Sequence, residues 1–130
     1  MKCVFSAPAP VRRAVAGLVV FALAVTACTR AEEQVHFFYE AVCASCEASQ
    51  RMEQLAGRLV AIGRDRPRLA VKTYEIYRAD SVEALRRVMD ELGVAMEGLR
   101  FPILVADGTV YDGEAAVTER IAAFERESAP

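Results

Sequence analysis

Apolar and polar positions alternate along the chain in blocks that predict seven elements behind an apolar opening. Val35-His36-Phe37-Phe38-Tyr39 is short and aromatic-rich, and predicts a strand. Ala41 to Ser45 follows as a loop. From Cys46 to Ile62, the residues Met52, Leu55, Leu59 and Ile62 recur at helical spacing, with Glu47, Arg51 and Arg58 left for water. Gly63 predicts the stop and Asp65-Arg66-Pro67 a turn. Leu69 to Tyr74, extensible to Ile76, predicts a second strand. Asp80 and Glu83 make a capping-box pattern ahead of a helix over Ser81–Leu92. Its stripe is Val82, Leu85, Val88, Met89 and Leu92, and Gly93 suits the position after its end. Ile103 to Ala106 and Thr109 to Tyr111 flank Asp107-Gly108, a two-residue hairpin signal. Gly113 then breaks the pattern. A last helix is expected over Ala115–Arg126, with Val117, Ile121 and Phe124 inward.

The order is β-α-β-α-β-β-α. The first two strands flank a helix and should run parallel through a right-handed crossover. The last two should form a hairpin. The expected fold class is α/β, a mixed four-stranded sheet with helices on both faces. A chain of 130 residues suits one such domain.

The opening block is a different kind of segment. Lys2, Arg12 and Arg13 precede an uninterrupted apolar run from Ala14 to Val25, and the first acidic residue is Glu32. A basic start and a short apolar run describe an export signal. The run falls short of the roughly 20 residues a membrane span needs. Val25-Thr26-Ala27-Cys28 resembles the lipobox of bacterial lipoproteins. That resemblance implies cleavage before Cys28 and lipid on its sulfur. The alternative is ordinary cleavage that leaves Cys28 as a free thiol. Thr29 after Cys28 is not the aspartate linked in that family to inner-membrane retention. Residues 1–27 are therefore expected to be the signal, 28–34 a polar tether and 35–130 the domain. The expected location is extracytoplasmic, in the periplasm or cell envelope, with the membrane as a partner through Cys28.

Removing the signal changes the charge. Of 16 basic residues three precede Cys28, which leaves 13 against 18 acidic ones, a net charge of −5. No basic run remains to attract nucleic acid, so no nucleic-acid partner is expected. The cysteine count also sharpens. Cys3 leaves with the signal and Cys28 is expected to carry lipid, so Cys43 and Cys46 remain. A stapling disulfide in an exported domain is expected to join distant segments. Cysteines three apart close a tiny loop and gain little chain entropy. Cys43-Ala44-Ser45-Cys46 instead lies between a strand and a helix. There the unpaired N–H groups and partial positive charge of the helix start stabilise a thiolate, the attacking species.

Other uses of the pair fit less well. A structural zinc site takes four ligands, and the mature chain offers only Cys43, Cys46, Cys28 and His36. His36 lies on the first strand and reads as a packed or edge side chain. No metal site is assigned. Haem attachment needs a histidine after the second cysteine, and Glu47 stands there. Two alternatives stay open: a module that holds and transfers copper(I) on two thiolates, and a non-catalytic lipoprotein scaffold.

The strand–CxxC–helix unit, Phe101-Pro102 before the hairpin, Gly113 and the closing helix together resemble the thioredoxin superfamily from about Val35 to Glu127. The resemblance implies a protein thiol–disulfide oxidoreductase acting as a reductant or isomerase-type partner. It implies no bound cofactor beyond the redox-active disulfide. It implies that Cys43, the more exposed cysteine, attacks substrate disulfides and that Cys46 resolves them. Pro102 would be cis, and the peptide before it, with Phe101, would meet a substrate strand. Protein disulfides would be the substrates and a membrane thiol relay the electron partner. Tyr39, Val42, Phe101 and Tyr77 are candidates for an apolar docking surface.

The chain departs from thioredoxin itself at several positions. Val42 replaces its tryptophan, Ala44-Ser45 its Gly-Pro, and Phe37 the buried aspartate that aids proton transfer. Glu40 is the nearer candidate for that proton. Glu40 and Glu47 flank the motif and disfavour a thiolate, with Arg100 a candidate to offset them. A less stabilised dithiol is a more reducing couple, so the potential is expected nearer thioredoxin's than that of strongly oxidising periplasmic proteins.

Overall fold

The computed structural model describes residues 32–129, and the elements form in the expected order. They are β1 (Glu33–Tyr39), α1 (Glu47–Asp65), β2 (Leu69–Glu75), α2 (Ala79–Leu92), β3 (Ile103–Ala106), β4 (Thr109–Asp112) and α3 (Glu114–Ser128). The sheet order is β2-β1-β3-β4. β1 and β2 are parallel, and the other neighbours are antiparallel. This is the mixed α/β sheet expected, and it is consistent with a thioredoxin-like fold. The expected signal, Cys28 and the expected tether up to residue 31 lie outside the described residues. Among the described residues no helix is long and apolar enough to cross a membrane.

β1 is central, which explains its aromatic composition: both its faces are covered. Val35 and Phe37 face one side, where Met52, Leu55 and Leu59 of α1 and Val117, Ile121 and Phe124 of α3 meet them. Phe38 faces the other, packed with Leu85, Val88 and Met89 of α2. Burying each such side chain stabilises by roughly 1.5–3 kcal/mol. β3 is buried along its whole length because it lies between β1 and β4 under both layers. The hairpin is tight: Asp107 and Gly108 both have positive φ, 52° and 69°. That is the pattern of a two-residue turn whose twist suits the flanking strands.

The starts of β1 and α2 and the end of α1 differ from expectation for a tertiary reason, while α3 is longer than expected, Glu114–Ser128, and β4 reaches Asp112. β1 starts at Glu33, inside the expected tether, because Glu33 N–H donates to Arg68 O at 3.0 Å and pairs with β2. α1 runs through Gly63 to Asp65. Gly63 is a close-approach residue rather than a stop, since a Cβ there would meet Val71 Cγ2 at 2.9 Å. α2 starts at Ala79, two residues early, and no side chain caps it. Asp80 Oδ1 accepts only from Ser81 N–H, at 3.1 Å, so the Asp80–Glu83 capping box does not form. Gly93 does end α2, in the left-handed conformation.

Charged groups gather at the end of the sheet where β1 begins. Arg120 pairs with Asp107 at 2.9 Å and Glu127 at 3.0 Å, and its guanidinium lies 3.9 Å over the Phe124 ring. Arg66 reaches Glu33 at 3.6 Å and Glu127 at 3.4 Å. The network ties the hairpin turn, α3 and the entry of the chain into β1.

Candidate redox site

Register places the site at the opposite end of the sheet. Phe38 pairs with Ile103, so Pro102 lies beside the last residues of β1. Tyr39 pairs with Glu75, so the β2–α2 turn ends there too. The loop from Glu40 to Cys46 leaves β1 at this edge and feeds α1. Cys43 and Cys46 form a disulfide across a Cα separation of 5.3 Å. The loop is wound by Cys46 N–H donating to Cys43 O at 3.1 Å, and α1 begins with Gln50 N–H donating to Cys46 O. Cys46 is thus the residue that opens α1, and no side chain caps that end. The pair sits against the partial positive charge of a 19-residue helix.

The two cysteines are not equivalent, and their exposure reverses the expected order. Cys43 is half-buried and Cys46 is exposed. Ser49, a buried polar residue, accepts from Cys43 N–H through its Oγ at 3.3 Å, which ties the backbone of the first cysteine to α1. Ser45 Oγ lies 3.4 Å from Cys43 Sγ. A disulfide sulfur carries no proton, so the hydroxyl is the donor. Ser49 was legible only indirectly: it occupies the apolar stripe that continues through Met52, Leu55 and Leu59.

No family model, curated protein or solved structure matches this chain.

The Phe101-Pro102 bond is cis and Pro102 is buried. Phe101 is half-buried against the α2 side of the core. Gly113 N–H donates to the carbonyls of both Arg100 and Pro102, each at 2.9 Å, which anchors the chain on either side of Phe101. An open groove of about 380 Å³ runs here between Arg100, Phe101 and the start of α3. Arg100 engages Asp112, its Nε 3.5 Å from Oδ2, so its charge is already paired. Val42 and Tyr77 are among the most exposed apolar side chains, at 73% and 61%.

Proton and charge partners differ from the sequence picture. Glu40 is exposed at the end of β1. Phe37 fills its position with no exposed surface, so no carboxylate enters the core there. Arg51, which the sequence presented only as a solvated residue, bridges Glu47 at 3.2 Å and Glu114 at 3.1 Å. It offsets one of the two flanking acids. His36 stacks near Phe38 and Tyr74, with Nδ1 3.3 Å from the Tyr74 hydroxyl. Burial, reinforced by Lys72, lowers its pKa below the ordinary 6.5. It is a packed side chain, as the strand position implied. Among the described residues no three His, Cys, Asp or Glu side chains gather as a metal-ligating group.

Proposed function

We propose that this protein is a thiol–disulfide oxidoreductase of the thioredoxin type, exchanging disulfides with other proteins through Cys43 and Cys46. The observation that carries the reading is the disulfide at the head of α1, in a loop that leaves one of its cysteines open to solvent. A staple across three residues constrains the unfolded chain little. A dithiol at a helix start is instead a two-electron carrier whose thiolate is favoured locally. No bound cofactor is needed, because the two sulfurs hold the electrons.

The surroundings support a protein substrate. Val42, next to Cys43 in the chain, offers exposed apolar surface, and Tyr77 and the Phe101-Pro102 segment lie at the same end of the sheet. A partner segment could reach the pair there without opening the core. The proposed location is outside the cytoplasm, held by lipid on Cys28, with a membrane thiol relay supplying electrons. A Cys28→Ser chain should then leave the membrane fraction; retention there would refute the anchor.

Insulin reduction driven by dithiothreitol tests the activity. The protein is expected to accelerate it, and Cys43→Ser and Cys46→Ser should each return the rate to that of dithiothreitol alone. A rate unaffected by the protein, or by both substitutions, would contradict the proposal.

A further inference from the structure

The buried face of α1 runs through Ser49, Met52, Leu55, Ala56, Leu59 and Ile62, and Ser49 is its only polar member, at 3% exposure. Burying a hydroxyl costs stability unless it is hydrogen-bonded. The bond this one makes leaves the helix: Ser49 Oγ accepts from Cys43 N–H at 3.3 Å. The Cys43 carbonyl is held as well, by Cys46 N–H at 3.1 Å. Both main-chain polar groups of Cys43 are therefore bound, one to the core face of α1 and one to the residue that opens it.

Given that the pair is redox-active as proposed above, we infer that Ser49 is a positioning residue for the couple, holding the loop in the form the closed disulfide needs. Ser49 acts through the backbone of Cys43 and takes no part in the exchange of sulfurs. Its bond is made across the closed loop, where the two cysteine Cα atoms stand 5.3 Å apart. Opening the disulfide returns backbone freedom to residues 43 to 46, and the Cys43 N–H can then turn to water. The bond is worth more in the disulfide than in the dithiol, and the difference favours the disulfide. A favoured disulfide is a more reducing couple. The exchange balances: two glutathione thiols give two electrons and two protons to the Cys43–Cys46 disulfide, which becomes a dithiol, and they leave as one glutathione disulfide.

Equilibration of the full chain in one fixed glutathione buffer tests the role of Ser49. Alanine suits a buried helical position, so Ser49→Ala is expected to fold. Its ratio of dithiol to disulfide should rise about fivefold over the unsubstituted chain, the worth of one ordinary hydrogen bond. Ser81→Ala, at the other buried serine, should leave the ratio unchanged. A serine that merely supports the fold would cost both redox forms alike and leave the ratio where it was. A Ser49→Ala ratio that stays put or falls, or an equal rise in Ser81→Ala, would overturn the inference while leaving the redox reading intact. An unsubstituted disulfide that exchanges with no buffer would overturn both. Amide hydrogen exchange needs no variant. Cys43 N–H should exchange more slowly in the oxidised protein than in the reduced one, and equal rates would overturn the role given to Ser49.

Discussion

Replacing Phe37 with alanine is expected to cost about 3–5 kcal/mol of stability, the usual loss for truncating a buried phenylalanine. Phe37 has no exposed surface, stacks on Tyr39 at 5.3 Å between ring centres, and fills the space between β1, α1 and α3. All three elements are fixed elsewhere, so the gap cannot close by a small movement. A domain of this size holds about 5–15 kcal/mol in total. The variant should therefore unfold at much lower urea, with the slope of the transition unchanged. Val60, exposed on α1, is the control; Val60→Ala should stay within about 0.5 kcal/mol. A Phe37→Ala loss below about 1 kcal/mol would contradict the packing described. The effect reaches the site as well, because the cysteine loop hangs from the end of β1.

At the opposite end of the sheet, Arg120→Ala is expected to cost about 2–3 kcal/mol near neutral pH. Its two ion pairs contribute up to about 1 kcal/mol each, and the contact with Phe124 about 1 more. These values suit a side chain only 16% exposed whose partners are half in water. One guanidinium nitrogen, Nε, is buried without a partner, which trims the native advantage. The cost should depend on pH, and Glu33 sets the sign. Burial, then the neighbouring Asp107, raises the Glu33 carboxyl above its ordinary 4.5, while Arg66 and Arg120 pull it down. A raised carboxyl contributes stability below its unfolded value and loses it as pH rises through the folded one. Removing Arg120 lets Glu33 rise further, so the variant loses more over that window. The deficit should therefore be larger at pH 7 than at about pH 4. Urea titrations at the two pH values check this; an equal deficit at both would mean the pairs contribute little.

Much of this fold could be read from local pattern because the pattern is local in origin. Central strands covered on two faces are apolar throughout, and Val35 to Tyr39 shows it. Asp107-Gly108 carries the positive φ values its turn requires. Stripes at helical spacing marked the helices that bury them. What pattern missed was set by contacts between distant segments. Glu33 is polar yet belongs to β1, since pairing with β2 fixes where the strand begins. Gly63 resembled a helix stop, but its small size serves Val71 on the neighbouring strand. Asp80 and Glu83 matched a capping box, but Ser81 and Val82 already bond to the carbonyl of Arg78, which starts α2 earlier.

The site divides in the same way. The cysteine spacing and Pro102 were visible as residues. The exposure of each cysteine was not, because it depends on how the loop folds against α1, where Ser49 ties the Cys43 backbone. Nor could spacing alone show that Arg51 joins the starts of α1 and α3 through Glu47 and Glu114.

The central claim is that Cys43 and Cys46 form a working redox couple, and equilibration with glutathione buffers measures it directly. A reversible two-electron transition is expected, lost in both Cys43→Ser and Cys46→Ser chains. With no basic residue between the cysteines, its potential is expected nearer about −270 mV than about −120 mV. A value near the upper figure would contradict the reducing role. A disulfide that exchanges with no buffer would contradict the redox reading itself.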